Sequence, residues 1–379
     1  MITKIELTNF KSHAHTVIEP GRVTALVGPN GCGKTSILQA INYLCLLAEK
    51  SAENIFAALP DPTILVRSGQ KYLQITGTGL QEKKEWEESI GGNILGGSNH
   101  QLGPINSWKR GHEAGTRTNT VGGNVVNYTG PTVNEILNPA TYVKAAFGNL
   151  SKPSYSPEIP PLLTPDGNGL ATVIAYLKTS EEEKHQYIEN SLRSIVPIVT
   201  KIRVRPAKIM SDSKKFVSIN ETRVPYDEKQ EVVGHELIFD TTSGNTIPAY
   251  AMSDGTLLAL SLLAASINST SNSPILLDDI EAGLHPLAQR QLMQVLKDFA
   301  EKHDRQIILT SHSPYIVDAL DAKDVWVMAT DKEGISHSKR LSDHPDAKRA
   351  IDILTTGELW DAEGESWVLE DTPAETVNA

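Results

Sequence analysis

The stretch GPNGCGKTSI, residues 28–37, governs how the rest of the chain is read. Glycine stands at Gly28, Gly31 and Gly33, and Lys34 and Thr35 complete a GxxxxGK[ST] run. Ahead of it, RVTALVG (22–28) is apolar and β-branched, the pattern of a buried strand. Behind it, SILQAINYLCLLAEK (36–50) can place Ile37, Ala40, Ile41, Leu44 and Leu47 on one helical face. A glycine-rich loop between strand and helix is the setting in which this motif cradles phosphate. Free backbone N–H groups and the helix N-terminus favour an anion there. Asn30, Gly31, Cys32, Gly33, Lys34, Thr35 and Ser36 are the expected binding residues. Lys34 is expected to reach the β- and γ-phosphates of a nucleotide, and the Thr35 hydroxyl to ligate Mg²⁺.

Three further stretches extend this expectation. In PILLDDIEAGLHP (274–286) an apolar strand runs into two carboxylates. An acid at the C-terminal end of a parallel strand faces the ligand crevice. Asp278 is expected to hold Mg²⁺ through water and Asp279 to polarise an attacking water; a plain turn cap is the structural alternative. RQIILTSHSPYIV (305–317) is a second apolar strand ending in Thr310, Ser311 and His312. If it neighbours the Asp278 strand, His312 would contact the γ-phosphate and the attacking water. In AMSDGTLLALSLLAAS (251–266), Ser253 and Gly255 open an apolar helix. A hydroxyl and free N–H groups there make a second phosphate-seeking surface, or simply an N-cap.

These pieces, in this order, resemble the ABC-type ATPases, a group of AAA-family P-loop ATPases, and within them the RecF, SMC and OLD-like branch. KIELTNFKSH, GPNGCGKTSILQAINYL, MSDGT, LLDDIEAGLHP and TSHSPYIVDAL carry the likeness, over about 1–50 and 235–330. LLTPDGNGLATVIAYL (162–177) extends it loosely. The resemblance implies ATP and Mg²⁺ as cofactors and a homodimer sandwiching two ATPs. It sets Ser253 and Gly255 against the γ-phosphate held by the other subunit. Asp254 replaces a signature glycine, and His285 falls where transporters carry an aspartate. Asp279 departs from the usual glutamate, and its carboxylate reaches roughly 1.5 Å less far. Glu281 is an alternative base. Gln70 and Gln74 are the candidates for the branch's glutamine.

The fold class expected is α/β, an ABC-type head whose mixed sheet is flanked by helices, with an inserted α+β lobe. Lys34 and Ser253 stand 219 positions apart, about twice the usual transporter interval, which requires the insertion. The expected divisions are 1–60 (first part of the ATPase core), 61–234 (β-rich and helical insertion), 235–345 (second part of the core) and 346–379 (helix and acidic tail). No sustained heptads indicate a coiled coil. Residues 63–80 read as strands with glycine-containing turns, and 170–196 as helical. Residues 91–130 hold ten glycines and read as a mobile loop or a loose sheet insertion. In KIRVRPAKIMSDSKK (201–215), Lys201, Arg203 and Arg205 would share a strand face, either tracking a nucleic-acid backbone or merely solvated.

Composition narrows the function. The chain has 379 residues, 39% of them hydrophobic, and no apolar run approaches the roughly 18 residues of a membrane span. Cys32 and Cys45 alone give neither a disulfide framework nor a Cys-based zinc site, as in a reducing cytoplasm. Of the net charge of −11, eight negative charges lie in 351–379, so the body is near neutral and binds DNA, if at all, through a local patch. EDTPAETVNA reads as a solvated tail. Only 67 residues follow His312, too few for the TOPRIM nuclease domain of OLD-like proteins. The expectation is a cytoplasmic Mg-ATP-dependent ATPase, dimeric or higher, with no membrane partner. It would act in DNA repair or antiviral defence against foreign DNA and control a separate nuclease or toxin effector. A regulatory scaffold that never touches DNA is the alternative.

Overall fold

The apolar strand before the glycine-rich loop forms as Val23–Val27, and all five of its residues are buried. In the computed structural model, which describes residues 1–81, 84–94, 102–110, 113–118, 137–144, 146–219, 222–270, 272–350 and 353–370, it is an inner strand of a six-stranded sheet. The order is Ser336–Arg340, Val325–Thr330, Val23–Val27, Ile307–Ser311, Ile275–Leu277, Thr141–Val143. Val23–Val27 runs parallel to the strand on each side, and Ile307–Ser311 runs parallel to Ile275–Leu277. Near-continuous apolar runs suit such a sheet, because both faces are covered.

The chain divides into two compact units. The first comprises residues 1–142, 270–281 and 297–379 and contains that sheet. It also holds a six-stranded antiparallel sheet ordered His13–Ile18, Ile2–Phe10, Tyr72–Gln81, Lys84–Ile94, Leu102–Arg110, Glu113–Thr118. Helix Lys34–Leu46 buries Ile37, Leu38, Ile41 and Leu44 in a core shared by both sheets, with Leu26, Leu276 and Ile308 from one and Ile5, Leu7 and Ile75 from the other. Strands from either side of residue 60 therefore make one continuous sheet. Between 91 and 118 the glycine-rich region supplies strands, as a sheet insertion would; 119–136 lie outside the described residues, as does the tail at 371–379.

A buried amide fastens the N-terminal strand to the sheet that contains Ile307–Ser311. Gln306 accepts from the Ile2 N–H at 2.9 Å and donates to the carbonyls of Ile2 (2.7 Å) and Gly21 (3.0 Å).

The second unit comprises residues 143–269 and 282–296. The helical reading of 170–196 resolves into Leu170–Ser180 and Glu182–Ile195, broken at Glu181. Helix Asp254–Asn268 is buried along almost its whole circumference, as an all-round apolar helix must be. Val199–Ile219 and Thr222–Thr241 form a long antiparallel hairpin, paired from Lys201↔Asp240 to Thr222↔Ile219. Its base is anchored by buried Val199, Ile202, Leu237 and Phe239. Lys201, Arg203 and Arg205 do share a face. Arg203 pairs with Asp240 at 2.6 Å, Arg205 with Glu236, and Lys208 with Glu231 at 2.7 Å. Two of the three cations on that face, Arg203 and Arg205, are thus met by acids of the return strand, and Lys208 is paired on the other face.

Gln306→Leu keeps the volume but strands the Ile2 N–H and two carbonyls. It should lower stability by about 1–3 kcal/mol in urea denaturation of the full chain.

Candidate functional site

The glycine-rich loop folds around its own lysine. Lys34 is buried, and its ammonium donates to the carbonyls of Gly28 (2.8 Å) and Pro29 (2.9 Å). Asn30 and Gly31 are exposed at the loop's crest, Cys32 is buried, and Thr35 and Ser36 are half-buried at the helix start. Both cysteines are free thiols, and burial makes the Cys32 thiol less acidic than an ordinary cysteine. Gly33 takes φ 97°, in the left-handed region. A Cβ there would lie 2.6 Å from His13 Nε2 and 2.7 Å from Ser336 Oγ, so space and backbone both demand glycine.

The two motif acids leave their strand beside the loop. The parallel register sets Leu277 opposite Leu309 and Ser311 opposite Val27, so the carboxyl ends of all three strands converge. Asp278 is buried there. The Thr35 hydroxyl lies 3.0 Å from each of its oxygens, and the Thr310 hydroxyl donates to it at 2.6 Å. Thr310 also accepts from the Asp279 N–H at 2.8 Å. Asp279 is half-exposed with φ 54°, and its carboxylate lies 3.9 Å from His312 Nε2. Glu281 is engaged elsewhere, and one of its carboxylate oxygens accepts from the His312 N–H at 2.7 Å.

A family model described as "AAA domain, putative AbiEii toxin, Type IV TA system" matches residues 137–318, and a second, "AAA ATPase domain", matches 1–90. Chromosome partition protein Smc of Chlorobaculum tepidum is 46% identical over 63 residues, covering 14% of this chain and 5% of that protein. DNA replication and repair protein RecF of Beutenbergia cavernae is 53% identical over 45 residues, 11% of each chain. An Smc head solved with the C-terminal winged-helix domain of ScpA superposes with TM-score 0.58 at 17% identity, covering 93% of this chain and 99% of that one. These matches make the chain similar to AAA-type ATPase domains and to RecF and Smc over its motifs, and its fold is that of an SMC-type head. Its matches span only a small fraction of the curated Smc and RecF proteins.

Lys34, Thr35, Asp278, Asp279, Glu281 and His312 all belong to the first unit; Thr35 meets Asp278, and His312 meets Glu281 and Asp279. Ser253 and Gly255 belong to the second. Ser253 caps helix Asp254–Asn268, accepting from the Thr256 N–H at 3.3 Å. Gly255 abuts another segment: a Cβ would sit 2.2 Å from the Gly283 carbonyl oxygen, so packing alone requires glycine there. Gln74 lies in the antiparallel sheet and donates to the Thr76 hydroxyl; neither it nor Gln70 contacts the carboxylates in any described interaction. No helix among the described residues is long and apolar enough to cross a membrane.

Sequence reasoning missed His13. The Gly33 carbonyl can only accept, so at 3.2 Å Nε2 carries the proton, and Nδ1 accepts from the Thr16 hydroxyl at 2.9 Å. This neutral ring buttresses the loop from beneath, and burial lowers its pKa to about 4. Ser336, bonded to Ser12 through backbone and hydroxyl, closes the other side. The signal was present in KSH, just past the first strand, but nothing local ties it to Gly33.

Because His13 stays neutral in the fold, the unfolded chain takes up a proton that the native one refuses between about pH 6.5 and about 4. Its contribution is full above pH 6.5 and is lost as pH falls through that window. Urea denaturation across pH 7.5 to 4.5 should show this slope, and His13→Gln should reduce it.

Proposed function

We propose that this ATPase head hydrolyses ATP with Mg²⁺ as one half of a homodimer. Closing and opening the pair would switch a separate nuclease or toxin effector, in the cytoplasm, during DNA repair or defence against foreign DNA. The observation that carries the enzymatic reading is the Thr35 hydroxyl 3.0 Å from both Asp278 oxygens, beside a loop built around Lys34.

The residues fit the cofactor. A hydroxyl and a buried carboxylate are hard oxygen donors of the kind Mg²⁺ takes alongside nucleotide phosphates. When bound, the metal neutralises phosphate charge and orients the terminal phosphoryl group. Lys34 supplies a compact cation to the same phosphates, and the loop's N–H groups receive their oxygens. Asp279 is the proposed acceptor for a proton of the attacking water, with His312 beside it to orient that water and the γ-phosphate. Glu281 fixes the His312 backbone, which supports Asp279 over Glu281 as the base. Ser253 and the first turn of its helix would meet the phosphate held by the partner subunit.

The RecF and Smc likenesses support a role in DNA transactions, and the toxin-system description of the matching family supports an effector partner. The ion pairs on the hairpin favour the second reading, a scaffold that gates an effector without touching DNA. Of the three cations expected to track phosphate, Arg203 and Arg205 face carboxylates instead. DNA-stimulated ATPase activity would support the first reading; its absence, with co-purification of a neighbouring gene product, would support the second.

Lys34→Ala should weaken ATP binding at least about tenfold, the loss of one charge-assisted contact. Asp279→Asn should retain ATP, slow turnover by about 10²-fold or more and accumulate closed dimer in ultracentrifugation with Mg-ATP. Ser253→Arg should bind ATP yet stay monomeric. Wild-type turnover by a monomeric Ser253→Arg chain would overturn the dimer mechanism.

A further inference from the structure

The glycine-rich loop is held by a chain of hydrogen bonds that begins outside it. Thr16 and His13 both belong to strand His13–Ile18, and both are buried. The Thr16 hydroxyl donates to His13 Nδ1 at 2.9 Å, and His13 Nε2 donates to the Gly33 carbonyl at 3.2 Å. A neutral imidazole carries a single proton. The Thr16 bond occupies the Nδ1 lone pair and so keeps that proton on Nε2, where the carbonyl can accept it. Ser336 braces the same corner. Its N–H donates to the Ser12 carbonyl at 2.9 Å and its hydroxyl to Ser12 Oγ at 2.7 Å, fixing the residue before His13.

These bonds fix the plane of one peptide. The Gly33 carbonyl also accepts the first bond of helix Lys34–Leu46, from the Ile37 N–H at 3.2 Å. Two donors on one oxygen leave the Gly33–Lys34 peptide little freedom to turn, although a glycine at φ 97° would otherwise turn easily. A trans peptide is planar, so its N–H points opposite to its C=O. The Lys34 N–H is therefore held away from His13. At the helix start it has no partner within the helix, and it lies against the Cys32 sulfur, a weak acceptor.

We propose that Thr16 and His13 are positioning residues for phosphate binding: Thr16 sets the tautomer of His13, and His13 sets the Gly33–Lys34 peptide so that its N–H faces a bound phosphate. This rests on the nucleotide reading above. Neither side chain touches the nucleotide or the metal, so the effect is independent of Mg²⁺.

The test uses the full chain and a fluorescent, non-hydrolysable ATP analogue, titrated with Mg²⁺ and again in EDTA, with melting temperature alongside. Thr16→Val keeps the volume but frees Nδ1 to take the proton. It should weaken analogue binding about fivefold in both conditions, the loss of one neutral hydrogen bond. His13→Leu, which has no donor, should fall at least as far. His13→Gln restores an N–H donor near the position of Nε2 and should retain the affinity. In that background Thr16→Val should cost nothing further, because an amide has no tautomer to set; the double-mutant cycle reads this coupling directly. Wild-type affinity in Thr16→Val, an equal loss from Thr16→Val in both backgrounds, or losses that merely track melting temperature overturn the proposal and leave the nucleotide reading intact. A wild-type chain that binds no analogue, or a Lys34→Ala chain that binds equally well, overturns both.

Discussion

Two hydroxyls donating to one buried carboxylate, Thr35 and Thr310 to Asp278, hold together the end of the sheet that carries the glycine-rich loop. They join the helix after the glycine-rich loop, the strand that ends in His312 and the strand that ends in the acid pair. Each donor comes from a different segment, so the bonds exist only when three parallel strands stand in register. In a low-dielectric setting such bonds are strong, and an unmet carboxylate there would be correspondingly costly. The same Thr310 receives the Asp279 N–H, so the second acid is aimed by the first one's support. The shape of the backbone here, and under the proposed function the site for a divalent cation, thus depend on one small knot of oxygens.

How much of this was legible in the sequence follows from how far apart the partners lie along the chain. The phosphate loop, the acid pair and the strand ending in His312 are runs of consecutive residues with their own periodicity, and each forms where its pattern indicates. The adjacency of the two acid-bearing and histidine-bearing strands could be anticipated, because both are short, apolar and parallel. His13 and Gln306 could not. His13 meets Gly33 across twenty positions, and Gln306 meets Ile2 across 304. No local pattern marks a histidine as a prop or a glutamine as a clamp. The division at residue 60 was placed by motif spacing, whereas pairing of Ile2–Phe10 with Tyr72–Gln81 carries one sheet across it.

The hairpin shows the same limit in electrostatic form. Alternation in KIRVRPAK is visible, and it does put the cations on one face. Their neutralisation depends on which residues of the return strand stand opposite, and that register emerges only from the pairing Lys201↔Asp240 onward. Exposed pairs of this kind add little stability. Their larger effect is on the field: at Arg203 and Arg205 the positive charge of the stripe is offset by facing acids.

Asp279 sits in the left-handed region that aspartate and asparagine enter far more readily than longer side chains, because a short polar group can bond to its own backbone. The acid at this position therefore answers to the turn it occupies as well as to the water it would address under the proposed mechanism. A longer carboxylate would extend further but resist the turn that aims it. The shorter acid is then a consequence of backbone geometry as much as of chemistry, and in that mechanism turnover would be coupled to the conformational preference of a single residue.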